Sequence, residues 1–146
     1  MKINYVKGNL LDTDCKFILH GCNARGVMGA GVAKAIRKKW PKAYTDYRKI
    51  HEKKGLVIGH AYPSEQPDGK VIFNAITQES YGTDRVQVNY DAISKVIGYI
   101  DNHFLLDHQK VAMPMIGAGL GGGKWESIKL LIELGSSNFQ PVVYYL

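Results

Sequence analysis

IGAGLGGG, residues 116–123, is the stretch from which the fold of this chain can be worked out. Five of the sixteen glycines lie between Gly117 and Gly123, where an even spread would place about one, and such density is typical of loops that hold phosphate groups. An apolar run over 111–116 precedes the glycines. After them, apolar residues recur every three or four positions from Trp125 to Leu134. The pattern therefore predicts a strand, a glycine loop and a helix in succession.

A loop of this kind is suited to binding an anion. Glycine adopts positive φ and carries no Cβ, so several amide N–H groups can point to one place, and the following helix adds the positive end of its dipole. An isolated glycine loop is equally well explained as a flexible connector between strand and helix. A second feature is needed to decide between these interpretations.

A second glycine-bearing stretch lies at residues 23–31 and contains three glycines. It also joins a strand to a helix, because it follows the apolar run 17–22 and precedes a helical pattern that Pro41 ends. Ligands of α/β sheets bind outside the carboxyl ends of the strands. We therefore expect the two loops to converge on one elongated, phosphorylated ligand.

Strands and helices alternate through most of the sequence. The predicted strands are residues 3–6, 17–22, 56–62, 70–77, 110–116 and 142–146. The predicted helices are 32–40, 42–54, 93–104 and one that begins near Trp125. This order predicts an α/β protein, specifically a three-layer α/β/α sandwich with a mixed, largely parallel central sheet. With 146 residues and 45% hydrophobic content, we expect residues 1–146 to form a single domain.

Composition limits the classes of function. No apolar run reaches the roughly 20 residues needed to cross a bilayer, and the N-terminus lacks a signal-peptide core, so we expect a cytoplasmic protein with no membrane partner. Cys15 and Cys22 are too few for a disulfide framework or a metal site, so no metal or cofactor is expected. The net charge of +6 favours an anionic partner. The basic residues are scattered outside any nucleic-acid-binding motif, so we do not expect a nucleic-acid partner.

Four ordered motifs extend over nearly the full length of the chain. They are Gly8-Asn9, HGCN at 20–23 continuing into GAGVA at 29–33, MPMIGAGL at 113–120, and VYYL at 143–146. Together they resemble the macro domain family of ADP-ribose-binding modules. The resemblance is strongest to the branch that contains ADP-ribose 1''-phosphate phosphatases and ADP-ribose protein glycohydrolases.

The resemblance implies a site for ADP-ribose with no cofactor. Asn9 stands where the family usually has an aspartate that accepts a hydrogen bond from adenine, and an amide oxygen can still accept one. Asn23 matches the family's asparagine near the distal ribose. The ligand-binding residues implied in this way are Gly8, Asn9, Leu10, Asn23, Met28, Gly29, Ala30, Gly31, Val32, Ile116, Gly117, Ala118, Gly119, Leu120, Gly121, Tyr144 and Leu146.

His20 and Asn23 are the candidate catalytic residues. A histidine titrates near neutrality and can donate a proton, assist water or attack phosphorus, although a buried histidine that only holds the loop fits the sequence equally well. Asn23 can orient a ribose hydroxyl or an attacking water, and its alternative role is a turn residue. Residues 80–83 are expected to form a loop that closes over the ligand, with Tyr81 stacking on it.

Three functions remain open. The first is a phosphatase that converts ADP-ribose 1''-phosphate to ADP-ribose. The second is a non-catalytic reader of free or protein-linked ADP-ribose, and the third is hydrolysis of ADP-ribosyl esters or O-acetyl-ADP-ribose. Gln78 and Gly121 stand where glycohydrolase-type members carry a lysine and an aspartate, which disfavours chemistry through a Schiff base. A monomer is expected in each case.

Overall fold

The computed structural model describes residues 1–82 and 84–146, and six strands in them form one sheet. The strands are β1 (Asn4–Lys7), β2 (Phe17–Asn23), β3 (Ala61–Glu65), β4 (Val71–Gln78), β5 (Lys110–Met113) and β6 (Gln140–Tyr145). Their order across the sheet is β1-β6-β5-β2-β4-β3. Every neighbouring pair is parallel except β3 with β4. The prediction of a mixed, largely parallel sheet is therefore confirmed.

Helices cover both faces of the sheet. They are α1 (Gly31–Lys39), α2 (Pro41–Lys53), α3 (Tyr90–His103) and α4 (Trp125–Gly135). Side chains alternate along a strand, so Leu19 of β2 packs in the apolar cluster of α3 and α4, whereas its neighbour Ile18 packs against α1 and α2. The three-layer α/β/α arrangement expected from the sequence is thus confirmed. None of the helices in the described residues is long and apolar enough to cross a bilayer.

Prolines account for the main differences from the predicted boundaries. The strand predicted at 56–62 begins only at Ala61 and includes Pro63, which was expected in a loop. β3 lies at the edge of the sheet, where a residue without an N–H is tolerated. β5 ends at Met113 instead of Ile116, immediately before Pro114. Pro41 both ends α1 and opens α2 at its first position, where the missing N–H costs nothing.

The connections place a crevice at one edge of the sheet. The parallel strands β2, β4 and β5 end on the same side, and β2 lies between the other two. β2 continues to α1 on one face, whereas β5 continues to α4 on the other face. Neighbouring strands whose connections leave in opposite directions open a crevice between their loops, and this is where α/β proteins bind ligands.

Candidate functional site

A cavity of about 540 Å³ lies at the carboxyl ends of β2, β4 and β5. Its volume falls in the range typical of small-molecule sites. Two glycine loops form part of its walls, and they are numbered here in chain order. The first glycine loop is residues 24–30, between β2 and α1, and the second glycine loop is residues 114–124, between β5 and α4. The start of α1 and the second loop approach each other so closely that a Cβ added at Gly31 would lie 2.9 Å from Leu120 Cδ1. The expectation that both loops face one cleft is confirmed.

The first wall of the cleft is the N-terminus of α1. Gly31, Val32 and Ala33 line the cavity, and no side chain caps the helix at Ala30. The first N–H groups of a helix have no partner within the helix, and the helix dipole gives this end a partial positive charge. An uncapped helix that opens into a cavity is a binding position for a phosphate group.

The opposite wall is the second glycine loop, which is held by its own main chain. Gly123 N–H donates to Gly117 O at 2.7 Å, and Gly122 N–H donates to Gly119 O at 3.0 Å. Gly117 adopts a φ of 76°, which only glycine accepts without strain. Within residues 1–82 and 84–146, the N–H groups at positions 119–121 donate to no protein acceptor. They are free to bind an anion in the cleft.

Asn23 organises the first glycine loop. Its Oδ1 accepts from Arg25 N–H at 2.9 Å and from Val27 N–H at 3.3 Å, and its Nδ2 donates to Val27 O at 2.8 Å. The turn role considered from the sequence is therefore present. Asn23 also lines the cavity, and an amide nitrogen carries a second N–H. Within residues 1–82 and 84–146 that second N–H has no acceptor, so it is available for a ligand.

Tyr47 of α2 supports Asn23 from the interior. Its hydroxyl lies 2.7 Å from Asn23 O and 3.0 Å from Asn23 Oδ1. The ring is fully buried, and burial raises the pKa of the hydroxyl above its ordinary value. Next to it, Arg48 Nη1 donates to Gly26 O at 3.1 Å. Helical spacing predicts that Tyr47 is buried, but nothing in the sequence predicts its contact with Asn23.

His20 does not line the cleft, so the geometry does not support the catalytic role expected from the sequence, and that role remains an untested prediction. It is fully buried and is not among the residues that line the cavity. Asn74 Nδ2 donates to Ala43 O, so Asn74 Oδ1 accepts from His20 Nε2 at 2.7 Å. Burial lowers the pKa of His20 to about 4, against the opposing effect of the Asn74 hydrogen bond. The neutral ring joins β2, β4 and α2, which is the structural alternative that the sequence left open.

Cys22 is a second residue whose side chain could act as a nucleophile, and its thiol is held in the neutral form. Cys22 lines the cavity with only 3% of its surface exposed. Burial raises the pKa of its thiol far above the ordinary value. The thiolate is the nucleophilic form of cysteine, so Cys22 is not an activated nucleophile at neutral pH.

Most of the residues predicted in the two loops line the cavity, but two do not. The ones that do are Asn23, Gly29, Ala30, Gly31, Val32, Ile116, Gly117, Gly119, Leu120 and Gly121. Met28 instead packs into the core cluster beneath the first loop, and Ala118 packs against the α3 and α4 cluster. Both are predicted to contact the ligand; neither lines the cavity, and their contact with a ligand remains a prediction.

The residues predicted near adenine lie at the same edge of the sheet, beyond the cavity. Asn9 Oδ1 accepts from Leu11 N–H at 3.0 Å and caps a short 3-10 helix. Tyr144 donates its hydroxyl to Thr13 Oγ1 at 2.8 Å. Leu146, also predicted near adenine, is exposed; the other predicted ligand-binding residues in this region are Gly8 and Leu10, of which Leu10 is buried. None of these residues lines the cavity, so their contact with a ligand remains a prediction.

Sequence reasoning assigned no ligand-binding role to several residues that line the cleft. They are Gly21, Cys22, Val27, Ala33, Thr77, Gln78, Pro114 and Met115. Tyr81, expected to stack on the ligand, does line the cavity and is 56% exposed. Thr83, the last residue of the expected closing loop, lies outside the described residues.

Gln78 and Gly121 are neighbours in the wall of the cleft. Gln78 Nε2 donates to Ser80 O at 2.6 Å. A Cβ added at Gly121 would lie 3.2 Å from Gln78 Oε1 and 2.9 Å from Gly117 O. Because the second of these atoms belongs to the main chain, position 121 has no room for a side chain. The shape of the loop therefore excludes a carboxylate side chain at position 121.

Comparison with known proteins gives a consistent result. The sequence pattern of the Macro domain matches residues 19–131. ADP-ribose 1''-phosphate phosphatase of Saccharomyces cerevisiae is 28% identical over 99% of this chain and 98% of its own length. DNA ADP-ribosyl glycohydrolase of Thermus aquaticus is 29% identical over 90% of this chain, which spans only 37% of that protein. The solved macrodomain of Thermus aquaticus DarG superposes with a TM-score of 0.84 at 26% identity, covering 99% of this chain and 98% of that one.

Proposed function

This chain belongs to the Macro domain family, and from that premise we propose that its cleft binds ADP-ribose and hydrolyses ADP-ribose 1''-phosphate. Water would attack the terminal phosphorus, the bond from phosphorus to the ribosyl oxygen would break, and phosphate and ADP-ribose would leave. The observation that carries this proposal is the pairing of two anion-binding walls across one cavity. The name of the full-length Saccharomyces cerevisiae relative supports the choice of substrate.

The two walls suit a diphosphate. The uncapped N-terminus of α1 offers N–H groups on one side, and the N–H groups at positions 119–121 lie on the other. Main-chain donors fixed before the ligand arrives stabilise negative charge without reorganisation. The ADP-ribose diphosphate would lie between the loops, with the distal ribose toward Asn23 and β4 and the adenine toward β6 and β1.

Catalysis in this arrangement would depend on positioning and charge stabilisation. Phosphoryl transfer needs little covalent help from a protein, and fixed donors around the phosphoryl oxygens supply most of the effect. The free N–H of Asn23 is placed to hold the terminal phosphate or the attacking water. His20 and Cys22 are omitted from the chemical step because the first is outside the cavity and the second is a neutral thiol.

One observation favours a second candidate, a reader that binds ADP-ribose without turnover. Among the cavity-lining residues that the structure describes, none is a histidine, lysine, arginine, aspartate or glutamate. A cleft without an ionisable acid or base at neutral pH binds an anion more readily than it protonates a leaving group. Hydrolysis of ADP-ribosyl esters through a Schiff base remains disfavoured, because Gln78 and Gly121 supply neither amine nor carboxylate.

Calorimetry and a phosphate-release assay separate these candidates. A Cβ at Gly119 meets no atom within 4 Å, and Gly119 lines the cavity, so a longer side chain can be added in the wall of the cleft without a clash. Gly119→Glu brings a carboxylate beside the diphosphate and is expected to weaken ADP-ribose binding about 100-fold, since like charges at about 4 Å repel by several kcal/mol near a protein surface. Gly119→Gln is the neutral match and changes only the size of the side chain. Its affinity for ADP-ribose should stay within about fivefold of the wild-type value, a difference of no more than about 1 kcal/mol.

The phosphatase is supported if the wild type and Gly119→Gln release phosphate from ADP-ribose 1''-phosphate and Gly119→Glu does not. ADP-ribose binding with no phosphate release would support the second candidate, the reader that binds without turnover. Equal binding by the Glu and Gln variants would show that the anion does not lie against the second glycine loop, and would remove the basis for both.

We also propose that the protein works in the cytoplasm as a monomer, on free ADP-ribose derivatives or on ADP-ribosylated protein. Cys15 and Cys22 are both free and buried, as is usual in reducing compartments. Light scattering after size exclusion tests the monomer, and pull-down of mono-ADP-ribosylated protein by the wild type but not by Gly119→Glu tests the protein-linked ligand.

A further inference from the structure

Thr77 lines the cleft and carries a buried hydroxyl that has no partner among the described residues. The residue is 1% exposed and lines the cavity. Its Oγ1 makes no hydrogen bond to any group in the described part of the chain. Folded proteins pair nearly all of their buried polar atoms, and an unpaired one is costly. An unpaired hydroxyl at the edge of an anion-binding cleft therefore indicates a partner that arrives with the ligand.

The sheet is irregular at this residue. In the pairing of β2 with β4, Cys22 lies opposite Ile76, and the next residue, Asn23, lies opposite Gln78. Thr77 is thus an extra residue of β4 with no counterpart in β2. A bulge of this kind interrupts the regular alternation of side chains, and bulges occur often beside active sites, where they redirect a side chain.

The neighbouring strand leaves space for the hydroxyl. A Cβ added at Gly21 of β2 would lie 2.8 Å from Thr77 Oγ1, so a residue larger than glycine would displace it. Gly21 also lines the cavity. The main chain around the hydroxyl is fixed, because Thr77 O accepts from Asn89 N–H at 2.8 Å. The side chain is therefore held in place over Gly21, next to the cleft.

We propose that Thr77 Oγ1 binds the distal end of the ligand and determines specificity for it, through a hydrogen bond to an oxygen of the distal ribose. This assignment rests on the proposed function. The distal end is chosen because β4 lies on the far side of β2 from β5, β6 and β1. The diphosphate would lie between the two glycine loops, and adenine would extend toward β6. Only the distal ribose would then reach the end of β4.

Calorimetry with ADP-ribose and ADP tests this directly, because ADP lacks the distal ribose. Thr77→Val removes the hydroxyl and keeps the shape. It is expected to bind ADP-ribose about three- to tenfold more weakly, the effect of one hydrogen bond, and to bind ADP as the wild type does. Thr77→Ser keeps the hydroxyl and should preserve the wild-type ratio of the two affinities. The ligand-free Val variant should melt no lower than the wild type, since it buries no unpaired hydroxyl.

A second variant tests the same contact from the opposite strand. Gly21→Ala pushes on Oγ1 and should produce the same selective loss for ADP-ribose over ADP. Unchanged ADP-ribose affinity in Thr77→Val would overturn the assignment, and so would an equal loss for both ligands. If the wild type itself fails to bind ADP-ribose, the proposed function is wrong and this assignment fails with it. That result is distinguishable because it appears without any substitution.

Discussion

The two glycine loops face the same cleft but are held in place differently. The second loop is closed by main-chain hydrogen bonds among its own glycines, such as the one from Gly123 N–H to Gly117 O. The first loop is held by side chains, namely Asn23 within β2 and Tyr47 and Arg48 from α2. The second loop should therefore be sensitive to any added Cβ at its turn. The first should be sensitive to substitutions in a helix that does not touch the ligand.

The largest effect is expected at the turn of the second loop. Gly117 has a φ of 76°, and a Cβ there would lie 2.6 Å from Val88 Cγ2. Gly117→Ala should lower the free energy of unfolding by about 3 kcal/mol, combining left-handed strain with overpacking, and should abolish ADP-ribose binding. Gly119→Ala is the matched control in the same loop, because its Cβ meets nothing within 4 Å. It should change stability by less than about 0.5 kcal/mol.

Urea unfolding and calorimetry of both alanine variants check this prediction. Equal stability of the two variants would mean that the loop relaxes around a Cβ at its turn. The second loop would then not be as rigid as its main-chain hydrogen bonds indicate, and its difference from the first loop would disappear.

The contrast between the loops also explains which parts of the site could be predicted from sequence. Glycine density is a local signal, so residues 116–123 identified the second loop and its neighbouring strand and helix directly. The alternation of apolar runs with helical patterns was enough for the three-layer fold. Both signals depend on residues that are close together in the chain, and both predictions are confirmed.

Long-range contacts could not be predicted in the same way. Tyr47 contacts Asn23 across 24 positions, and His20 contacts Asn74 across 54. The apolar patterns place His20 on a buried strand and Tyr47 on an amphipathic helix, but they do not indicate which partner either residue meets. Thr77 is a further example, because its place in the cleft depends on a bulge that shifts the pairing of β2 and β4. Registers are set by the whole sheet and are not encoded in the local pattern.

The second-largest effect is a pH dependence of stability that arises from His20, beneath the first loop. His20 has its pKa lowered to about 4 by burial, whereas an unfolded histidine titrates near 6.5. As pH falls between these values, the unfolded chain takes up a proton that the folded protein does not. The contribution of His20 to the free energy of unfolding is therefore fully present above about pH 6.5. As the pH falls to 4, the free energy of unfolding decreases by up to about 3 kcal/mol.

Chemical unfolding at several pH values measures this loss. His20→Gln keeps a donor for Asn74 and removes the titration, so its unfolding free energy should fall less than that of the wild type over the same range. The variant should also keep its ADP-ribose affinity and any phosphate release. Loss of turnover with unchanged binding would return His20 to the chemical step and contradict its placement outside the cleft.

A smaller effect is expected from the tyrosine that holds Asn23. Tyr47→Phe removes the hydroxyl that contacts Asn23 O and Oδ1 and leaves buried acceptors with fewer partners. The expected costs are about 1–2 kcal/mol in stability and a several-fold loss of ADP-ribose affinity, although Tyr47 is not part of the cavity wall. Tyr44→Phe is the control on the same helix, since Tyr44 packs under Arg37 and its hydroxyl is not part of this contact. Equal affinities for the two variants would show that the first loop keeps its shape without α2.

The smallest effect is expected at Arg48, the outermost support of the first loop. Arg48 Nη1 donates to Gly26 O at 3.1 Å, while Nη2 pairs with the exposed Glu52 at 3.0 Å. Exposed ion pairs contribute little, so Glu52→Gln should leave both stability and ADP-ribose affinity unchanged. Arg48→Met keeps the aliphatic stem and removes both contacts, and we expect it to weaken binding by less than about threefold, because one partly exposed hydrogen bond is worth about 0.5 kcal/mol. Calorimetry should show that Tyr47→Phe binds ADP-ribose more weakly than Arg48→Met, and that Arg48→Met binds it more weakly than Glu52→Gln. This order would show that support for the loop increases with burial. The reverse order would mean that the first loop is positioned by surface charge.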